Sequence, residues 1–313
     1  MRAYVVQRLL AAIPVLLLVA LFTFLLLHLT PGDPAAIIAG EFATPEDIQR
    51  TRQKLGLDQP VVVQLGIWFR RIAQGDLGEP IFSGRPVLKL IQDRLEPTLS
   101  LALLSEVIAV SLAIPMGVLA AWKANTWVDR AVMVFAVAGF SVPVFWLGFN
   151  FIWVFAIRLP LLPPLGYEPL SRGPWLWFQH LILPAVTLGL IFTALIARMT
   201  RASMLEILRE DYIRTAWAKG LAQHIVLVRH ALRNAALPIV TIVGLGFAAL
   251  ITGVVVTETV FAIPGLGRLI VESIARRDYP VIQGVILVVS AAYVFINLAV
   301  DLTYAYFDPR IRY

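Results

Sequence analysis

The residue types that most often carry chemistry in proteins are sparse in this chain of 313 residues. It has no cysteine, so disulfides, thiol catalysis and thiolate metal sites are excluded. Its four histidines do not form the H-E-x-x-H pattern of zinc hydrolases. The sequence has no Gly-Lys dipeptide and therefore no G-x-x-x-x-G-K-[ST] phosphate loop. We therefore expect no catalytic or metal site in this chain and no cofactor bound by it.

Two polar residues lie inside long apolar stretches and are the candidates for a role there. An acid such as Glu106 costs roughly 2.5–3.5 kcal/mol at the centre of a bilayer, so it should face protein or a water-filled cavity. Glu106 could line a pathway and attract a cationic group, or it could be a carboxyl hydrogen-bonded within a helix bundle, which we favour. Asn150 is interpreted as a residue that hydrogen-bonds between helices rather than as a pathway ligand.

The composition places these residues in a membrane protein. Hydrophobic residues make up 59% of the chain, charged residues only 15%, and the mean hydropathy is +0.81. A soluble domain usually carries about 25% charged residues. A spanning helix needs roughly 20 mostly apolar residues, and we predict six such spans, near residues 9–29, 98–121, 131–157, 180–198, 237–258 and 281–304.

The basic residues predict the orientation and explain the net charge of +6 without nucleic acid. Lys and Arg concentrate in cytoplasmic connections. One set of connections and ends holds thirteen, the opposite short loops hold five, and the long segment 30–96 holds eight. Both termini are therefore predicted to be cytoplasmic. The first span resembles a signal peptide, but its apolar run is too long and lacks a small-x-small cleavage site, so we interpret it as a retained anchor.

The same pattern divides the chain into three regions. Residues 1–29 form the N-terminal tail and first span, 30–96 an external helical cap, and 97–313 a core of five spans with a cytoplasmic loop at 199–236. Within the cap, Thr44 and Asp47 predict a helix that starts at Pro45 and ends near Gly56. Two further short helices are predicted in the cap, at residues 61–73 and 86–95.

The cytoplasmic loop has the pattern of a docking element. Residues 204–219 are predicted to form one helix, with Leu205, Leu208, Tyr212 and Ala216 along a single stripe. Gly220 interrupts it, and a second helical stretch follows at 225–236. A basic loop that merely sets the topology would fit the pattern equally well.

Residues 211–221 (DYIRTAWAKGL) decide between these interpretations, because they resemble the cytoplasmic signature of binding-protein-dependent ABC permeases. His230 to Pro238 resembles a run typical of the dipeptide/oligopeptide branch. Further agreement comes from 29–34 (LTPGDP), Glu258 to Phe261, Pro264 to Gly267 and 304–313 (YAYFDPRIRY). The broader superfamily opens its signature with Glu-Ala-Ala where this chain has Arg214-Thr215-Ala216, a departure that points to the peptide branch.

The resemblance implies a type I ABC importer permease fold, all-α with about six spans, in a bacterial inner membrane. The implied partners are a homologous second permease, two ATP-binding subunits that use ATP and Mg, and an external substrate-binding protein. A solute such as a peptide would pass between the two permeases. The main alternative is a secondary transporter without ATPase subunits, which commonly has internal repeats that this sequence lacks.

The resemblance also assigns the contact with the ATPase subunits. The residues expected to couple ATP hydrolysis to transport are Tyr212, Arg214, Thr215, Ala216, Lys219 and Gly220. Arg214 and Lys219 could pair with acidic residues, but exposed pairs contribute only about 0–1 kcal/mol each. The apolar stripe should therefore supply much of the docking energy.

Overall fold

The computed structural model describes residues 2–29, 32–40, 43–54, 56–80 and 84–307, and these residues are helical with no strand. The α-helices are α1 (Arg2–Leu29), α2 (Pro34–Ala39), α3 (Pro45–Lys54), α4 (Val61–Ala73), α5 (Val87–Trp122), α6 (Trp127–Ser141), α7 (Val144–Phe151), α8 (Pro174–Ile207), α9 (Asp211–Ala218), α10 (Gln223–Ile225), α11 (Ala236–Gly253), α12 (Val255–Val260), α13 (Leu266–Arg276) and α14 (Tyr279–Phe307). Two π-helical segments, Ile152–Arg158 and Val226–Leu232, continue α7 and α10.

Long apolar helices account for the predicted spans. Four of them, α1, α5, α8 and α14, are each long enough to cross a membrane unbroken. Two further spans are bent pairs: α6 with α7 and its π-helical extension, at 100°, and the helices on either side of residues 233–235, at 65°. The structure therefore agrees with about six spans, of which two are broken.

Pro143 explains the sharper of the two bends. Proline lacks the N–H that would continue the helical hydrogen bonds and disfavours helical backbone at the preceding residue. Val142 accordingly adopts extended φ and ψ angles of −81° and 127°, and α7 begins directly after Pro143. The sequence predicted one kinked span at residues 131–157, whereas the chain turns through a near right angle.

The segment that the sequence predicts to be an external cap contains the first two of its predicted helices. The amide of Asp47 donates to the Thr44 hydroxyl at 3.2 Å, and the amide of Thr44 donates to the Asp47 carboxylate at 3.1 Å, so the predicted capping of α3 is confirmed. This pairing also lowers the pKa of Asp47. Helix α4 has the predicted bounds.

The third predicted cap helix, at residues 86–95, is not a separate element. Val87 begins α5, which continues through the predicted boundary at residues 96 and 97 to Trp122. Pro97 lies within it and is tolerated there, as is Pro115. The N-terminal part of α5 is therefore continuous with the second span, and the predicted cap and the span share one helix.

Helices α5 and α8 pack against each other along their length and form the centre of the molecule. The main buried cluster joins them to α11 and α12 through Leu101, Leu181, Leu250 and Phe261. Towards the other end, Arg201 of α8 forms a two-pronged ion pair with the buried Asp129 of α6. Bidentate pairs of this kind fix orientation as well as distance. Helix α8 is therefore held to its neighbours at both ends.

Candidate functional site

Helix α9 forms a short, separate element of the predicted docking loop. Helix α8 ends at Ile207, residues 208–210 turn the chain, and α9 runs from Asp211 to Ala218. The prediction of one helix over 204–219 is therefore wrong. The turn carries hydrogen bonds from the amides of Arg209 and Glu210 to carbonyls three residues earlier, and it redirects the chain.

The inner side of α9 is anchored in the protein. Ile213 and Ala216 are buried against Val226, Leu227 and Ala231 of the following π-helical segment. Ala216, predicted to contact a partner, therefore faces the chain's own core. Part of the apolar stripe that was expected to supply docking energy therefore packs within this chain. Because this packing anchors α9, the helix is a rigid projection instead of a mobile loop.

The outer side of α9 is exposed and mixed in character. Tyr212 and Trp217 flank the buried side and are 42% and 41% exposed. Arg214, Thr215 and Lys219 are exposed, and the ion-pair partner of Arg214 among the described residues is Asp211 of its own helix, at 3.3 Å. Partial burial raises the pKa of Tyr212. Trp217 was not among the predicted contact residues, although its place one turn after Ile213 could have indicated an aromatic edge.

Gly220 ends α9 in a conformation that suits glycine. Its φ is +73°, and its amide donates to the Trp217 carbonyl at 2.9 Å. A Cβ here would meet nothing within 4 Å, so the constraint is the left-handed backbone and not crowding. This geometry is the glycine C-cap that the sequence predicts, and it lets the chain reverse direction towards α10.

Glu106 lies in the helix bundle, where it is 8% exposed. It faces Gly246 of α11, and Phe192 of α8 lies against the same glycine. Neither of its carboxyl oxygens has a hydrogen-bond partner among the described residues. The carboxyl hydrogen-bonded to hydroxyls or backbone that we favoured from the sequence is therefore not seen here.

Asn150 forms its hydrogen bond within its own helix. Its amide nitrogen donates to the carbonyl of Trp146 at 2.7 Å. This bond lies within one turn of α7, so it differs from the interhelical bond expected from the sequence. Glu106 and Asn150 are not joined by a hydrogen bond, and neither belongs to the buried cluster beneath α9.

A polar cluster centred on Glu258 was not predicted as a site. Glu258 of α12 is fully buried and accepts the Thr98 hydroxyl of α5 at 2.6 Å and the Arg268 amide of α13 at 2.9 Å. The Thr98 oxygen in turn accepts the Leu266 amide at 2.8 Å. A Cβ at position 265 would collide with the Glu258 carboxyl, so Gly265 permits this approach. One carboxylate thus joins three helices at the N-terminus of α13, where a negative charge is favourable.

Tyr167 holds the loop between the π-helical segment Ile152–Arg158 and α8 against the N-terminal part of α5. Its hydroxyl donates to Glu96 at 3.0 Å, and the same carboxylate oxygen accepts the Leu170 amide at 3.0 Å. The Gly166 amide donates to the Phe261 carbonyl at 2.8 Å. Burial raises the pKa of Tyr167 to about 12. The loop, α5 and α12 are therefore tied together on one side of the molecule.

Among the described residues, no three His, Asp or Glu side chains lie close enough together to hold a metal ion.

Comparison with known proteins gives full-length matches. Residues 113–313 match the family described as binding-protein-dependent transport system inner membrane component, and residues 1–102 match the N-terminal model of such membrane components. A probable peptide ABC transporter permease protein of Sinorhizobium fredii is 50% identical over 313 residues, with all of both chains covered. The dipeptide transport system permease protein of Alkalihalophilus pseudofirmus is 44% identical, again with all of both chains covered.

Two further relatives extend the comparison. A glutathione transport system permease protein of Escherichia coli is 47% identical over 310 residues, which is 99% of each chain. Among solved structures, an inward-facing MetNI methionine ABC transporter matches with a TM-score of 0.60 at 20% identity. The match covers 72% of this chain and all of the other. This likeness supports the fold alone.

These matches confirm the resemblance drawn from residues 211–221 and favour an importer permease over a secondary transporter. They also confirm a multi-pass protein of the bacterial inner membrane, since the family model carries that location in its description. The chain therefore belongs to the binding-protein-dependent transport system inner membrane components, the permease subunits of ABC importers.

Proposed function

We propose that this permease forms half of a pathway for short peptides or similar small solutes and pairs with a homologous second permease. Relatives aligned over their whole length are described as peptide, dipeptide and glutathione permeases, which supports a peptide-like cargo. An external binding protein delivers the solute. Two cytoplasmic subunits use ATP and Mg to drive the cycle.

The permease itself catalyses no reaction and binds no cofactor in this proposal. The absence of a phosphate-loop sequence supports this division of labour, because a nucleotide needs such a cradle of backbone amides. Energy must then reach the spans through a protein contact. Helix α9 suits such a contact, because one of its sides is anchored in the protein and the other is exposed.

The single observation that carries the proposal is the two-sided construction of α9. Its inner side, Ile213 and Ala216, is fixed in the core, while Tyr212, Arg214 and Trp217 remain exposed. A partner that moves α9 must therefore also move the π-helical segment beneath it, Val226–Leu232, which leads towards α11. Thr215, Lys219 and Gly220 complete the proposed contact surface. The charge distribution supports a cytoplasmic position for this surface and for both termini.

The variant Gly220→Pro tests the coupling role, with Gly75→Pro as the matched control. Both glycines follow a helix, with φ angles of +73° and +79°, and both amides donate at 2.9 Å to a carbonyl three residues earlier. Gly220→Pro should insert normally but lose substrate-stimulated ATP hydrolysis in the assembled transporter, whereas Gly75→Pro should retain it. Normal stimulation in Gly220→Pro would remove the coupling assignment.

The cargo is tested separately by identifying the ligands that co-purify with the cognate binding protein. Uptake of those ligands is then measured in cells lacking this permease and in cells with the gene restored. Peptides on the binding protein, together with uptake that requires the permease, support the proposal. A non-peptide ligand whose uptake requires the permease would leave the importer intact but overturn the peptide assignment.

Glu106 and Asn150 remain the candidates for the pathway. The burial of Glu106 and the bond of Asn150 within its own helix favour a packing role for both. Glu106→Gln should then transport cationic and neutral substrates in the parent's ratio. A selective loss of the cationic substrate would assign Glu106 to the pathway.

A further inference from the structure

Helix α4 lies beside the outer half of α1 without being packed into the protein. None of its residues is buried, and Val62 is 80% exposed. Two contacts define its course. Gln64 Oε1 lies 3.2 Å from His28 Nε2, and the rings of Trp68 and Phe24 are 5.6 Å apart. Since residue 64 meets 28 and residue 68 meets 24, α4 runs antiparallel to α1, from its outer end towards the membrane interior.

Two cavities lie along this contact, one farther out than the other. The outer cavity has a volume of about 290 Å³, and the described residues that line it include Gln53, Gln64, Arg71 and Gln283. The inner cavity has a volume of about 410 Å³, and the described residues that line it are all apolar and belong to α1, α4, α14 and the segment after α4. Together they form a crevice with a polar outer part and an apolar inner part.

The crevice follows one face each of α1 and α14. Leu17 and Ala20 of α1 line the inner cavity, and Phe24 and Leu27 line the outer one, at the three- and four-residue spacing of a single helix face. Leu17 is 52% exposed, so the wall of the inner cavity opens towards the surroundings of the spans. In a membrane protein those surroundings are hydrocarbon.

The charge at the outer part is positive. Arg71 lines the outer cavity, and its only ion-pair partner among the described residues is Asp76, at 3.7 Å. Arg70 precedes it and is exposed, with no ion pair in the described part of the chain. No carboxylate of the described residues lines either cavity. Guanidinium groups bind phosphate well, and the glutamine amides beside Arg71 can donate further hydrogen bonds.

We propose that this crevice binds one phospholipid, with an acyl chain in the inner cavity and the phosphate at Arg71 and the neighbouring glutamines. A polar and cationic outer part above an apolar inner part matches the amphipathic form of a phospholipid. The positive charge favours an anionic headgroup such as phosphatidylglycerol over a zwitterionic one. The bound lipid fills the space between α1, α4 and α14 and fixes α4 against the spans.

Native mass spectrometry of the complete transporter, purified in mild detergent and supplied with phosphatidylglycerol and phosphatidylcholine, tests the lipid site. The parent should retain phosphatidylglycerol on this subunit. Ala291→Trp fills the inner cavity and should lose the lipid, as should Leu17→Trp, which adds bulk from the exposed side. The exposed Ala299 lines neither cavity, so Ala299→Trp should retain the lipid.

Arg71→Gln tests the headgroup. The preference for phosphatidylglycerol over phosphatidylcholine should fall about fivefold, whereas Arg85→Gln, another exposed external arginine, should leave it unchanged. Equal lipid retention in both cavity-filling variants would overturn the acyl-chain site. An unchanged preference in Arg71→Gln would overturn the headgroup assignment. Efficient cross-linking from position 17 to a second permease subunit would show that protein, and not lipid, covers the crevice.

Discussion

The hydroxyl of Thr98 donates to the carboxylate of Glu258 at 2.6 Å, although 160 residues separate them. Both side chains are fully buried. The same hydroxyl oxygen accepts the Leu266 amide, so α5, α12 and α13 meet at one hydrogen-bonded group. Motifs that the family resemblance picked out as short separate stretches, residues 258–261 and 264–267, are thus two sides of one contact.

Thr98→Val should destabilise the protein by about 1–3 kcal/mol, because it removes the hydroxyl that donates to Oε1 of Glu258 and leaves the buried Leu266 amide without its acceptor. Thermal unfolding of the purified protein in detergent measures the change. Thr259→Val is the control, since the hydroxyl of the exposed Thr259 donates to the Val255 carbonyl of its own helix, and its effect should stay within about 0.5 kcal/mol. Equal melting temperatures for the two variants would contradict the role of Thr98.

Arg201→Gln should loosen α6 from α8. It leaves Asp129 buried without its bidentate partner, and breaking a buried pair costs about 3–5 kcal/mol. Because Arg201 is partly exposed, we expect the lower end of this range. Lys89→Gln breaks an exposed pair with Asp93 and should cost less than about 1 kcal/mol. Similar unfolding temperatures for both variants would show that the Asp129 pair contributes little.

Ile213→Ala and Trp217→Ala should separate the two sides of α9. Ile213 is fully buried, so its truncation should cost about 2–5 kcal/mol of stability. Trp217 is 41% exposed, so Trp217→Ala should cost less stability than Ile213→Ala, about 1 kcal/mol. It should instead weaken binding of the ATPase subunits about tenfold, as judged by titration of the purified components. Unweakened binding in Trp217→Ala would exclude this aromatic edge from the contact.

The raised pKa of Tyr167 predicts a distinct alkaline transition. Its pKa of about 12 in the folded protein lies above the ordinary value of 10.0, so the neutral phenol is favoured by folding. The associated stability is complete below pH 10 and is lost as the pH rises through 12. Ultraviolet titration of the parent minus Tyr167→Phe should show one tyrosinate forming near pH 12. A midpoint near 10 in this difference would contradict the partial burial of Tyr167 and its bond to Glu96.

Sequence patterns correctly predicted those structural features that depend only on residues close together in the chain. Thr44 and Asp47 begin α3 as expected, because capping depends only on residues within one turn. Gly220 ends α9 for a similar reason. The break before α9 was missed, since residues 204–219 are all compatible with helix and only their packing over Val226 and Ala231 requires a turn.

The sequence alone determined that the chain spans a membrane about six times, because the length of each apolar stretch is enough to predict a span. It also determined that the chain belongs to the importer permeases, because the family motifs are contiguous in the sequence. The tertiary structure decided which side of α9 is exposed, that Glu106 has no hydrogen-bond partner, and that Glu258 meets Thr98. These relations join residues far apart in the chain. No periodicity or spacing encodes them, because they arise only when helices pack and each buried polar group either finds a partner or remains without one.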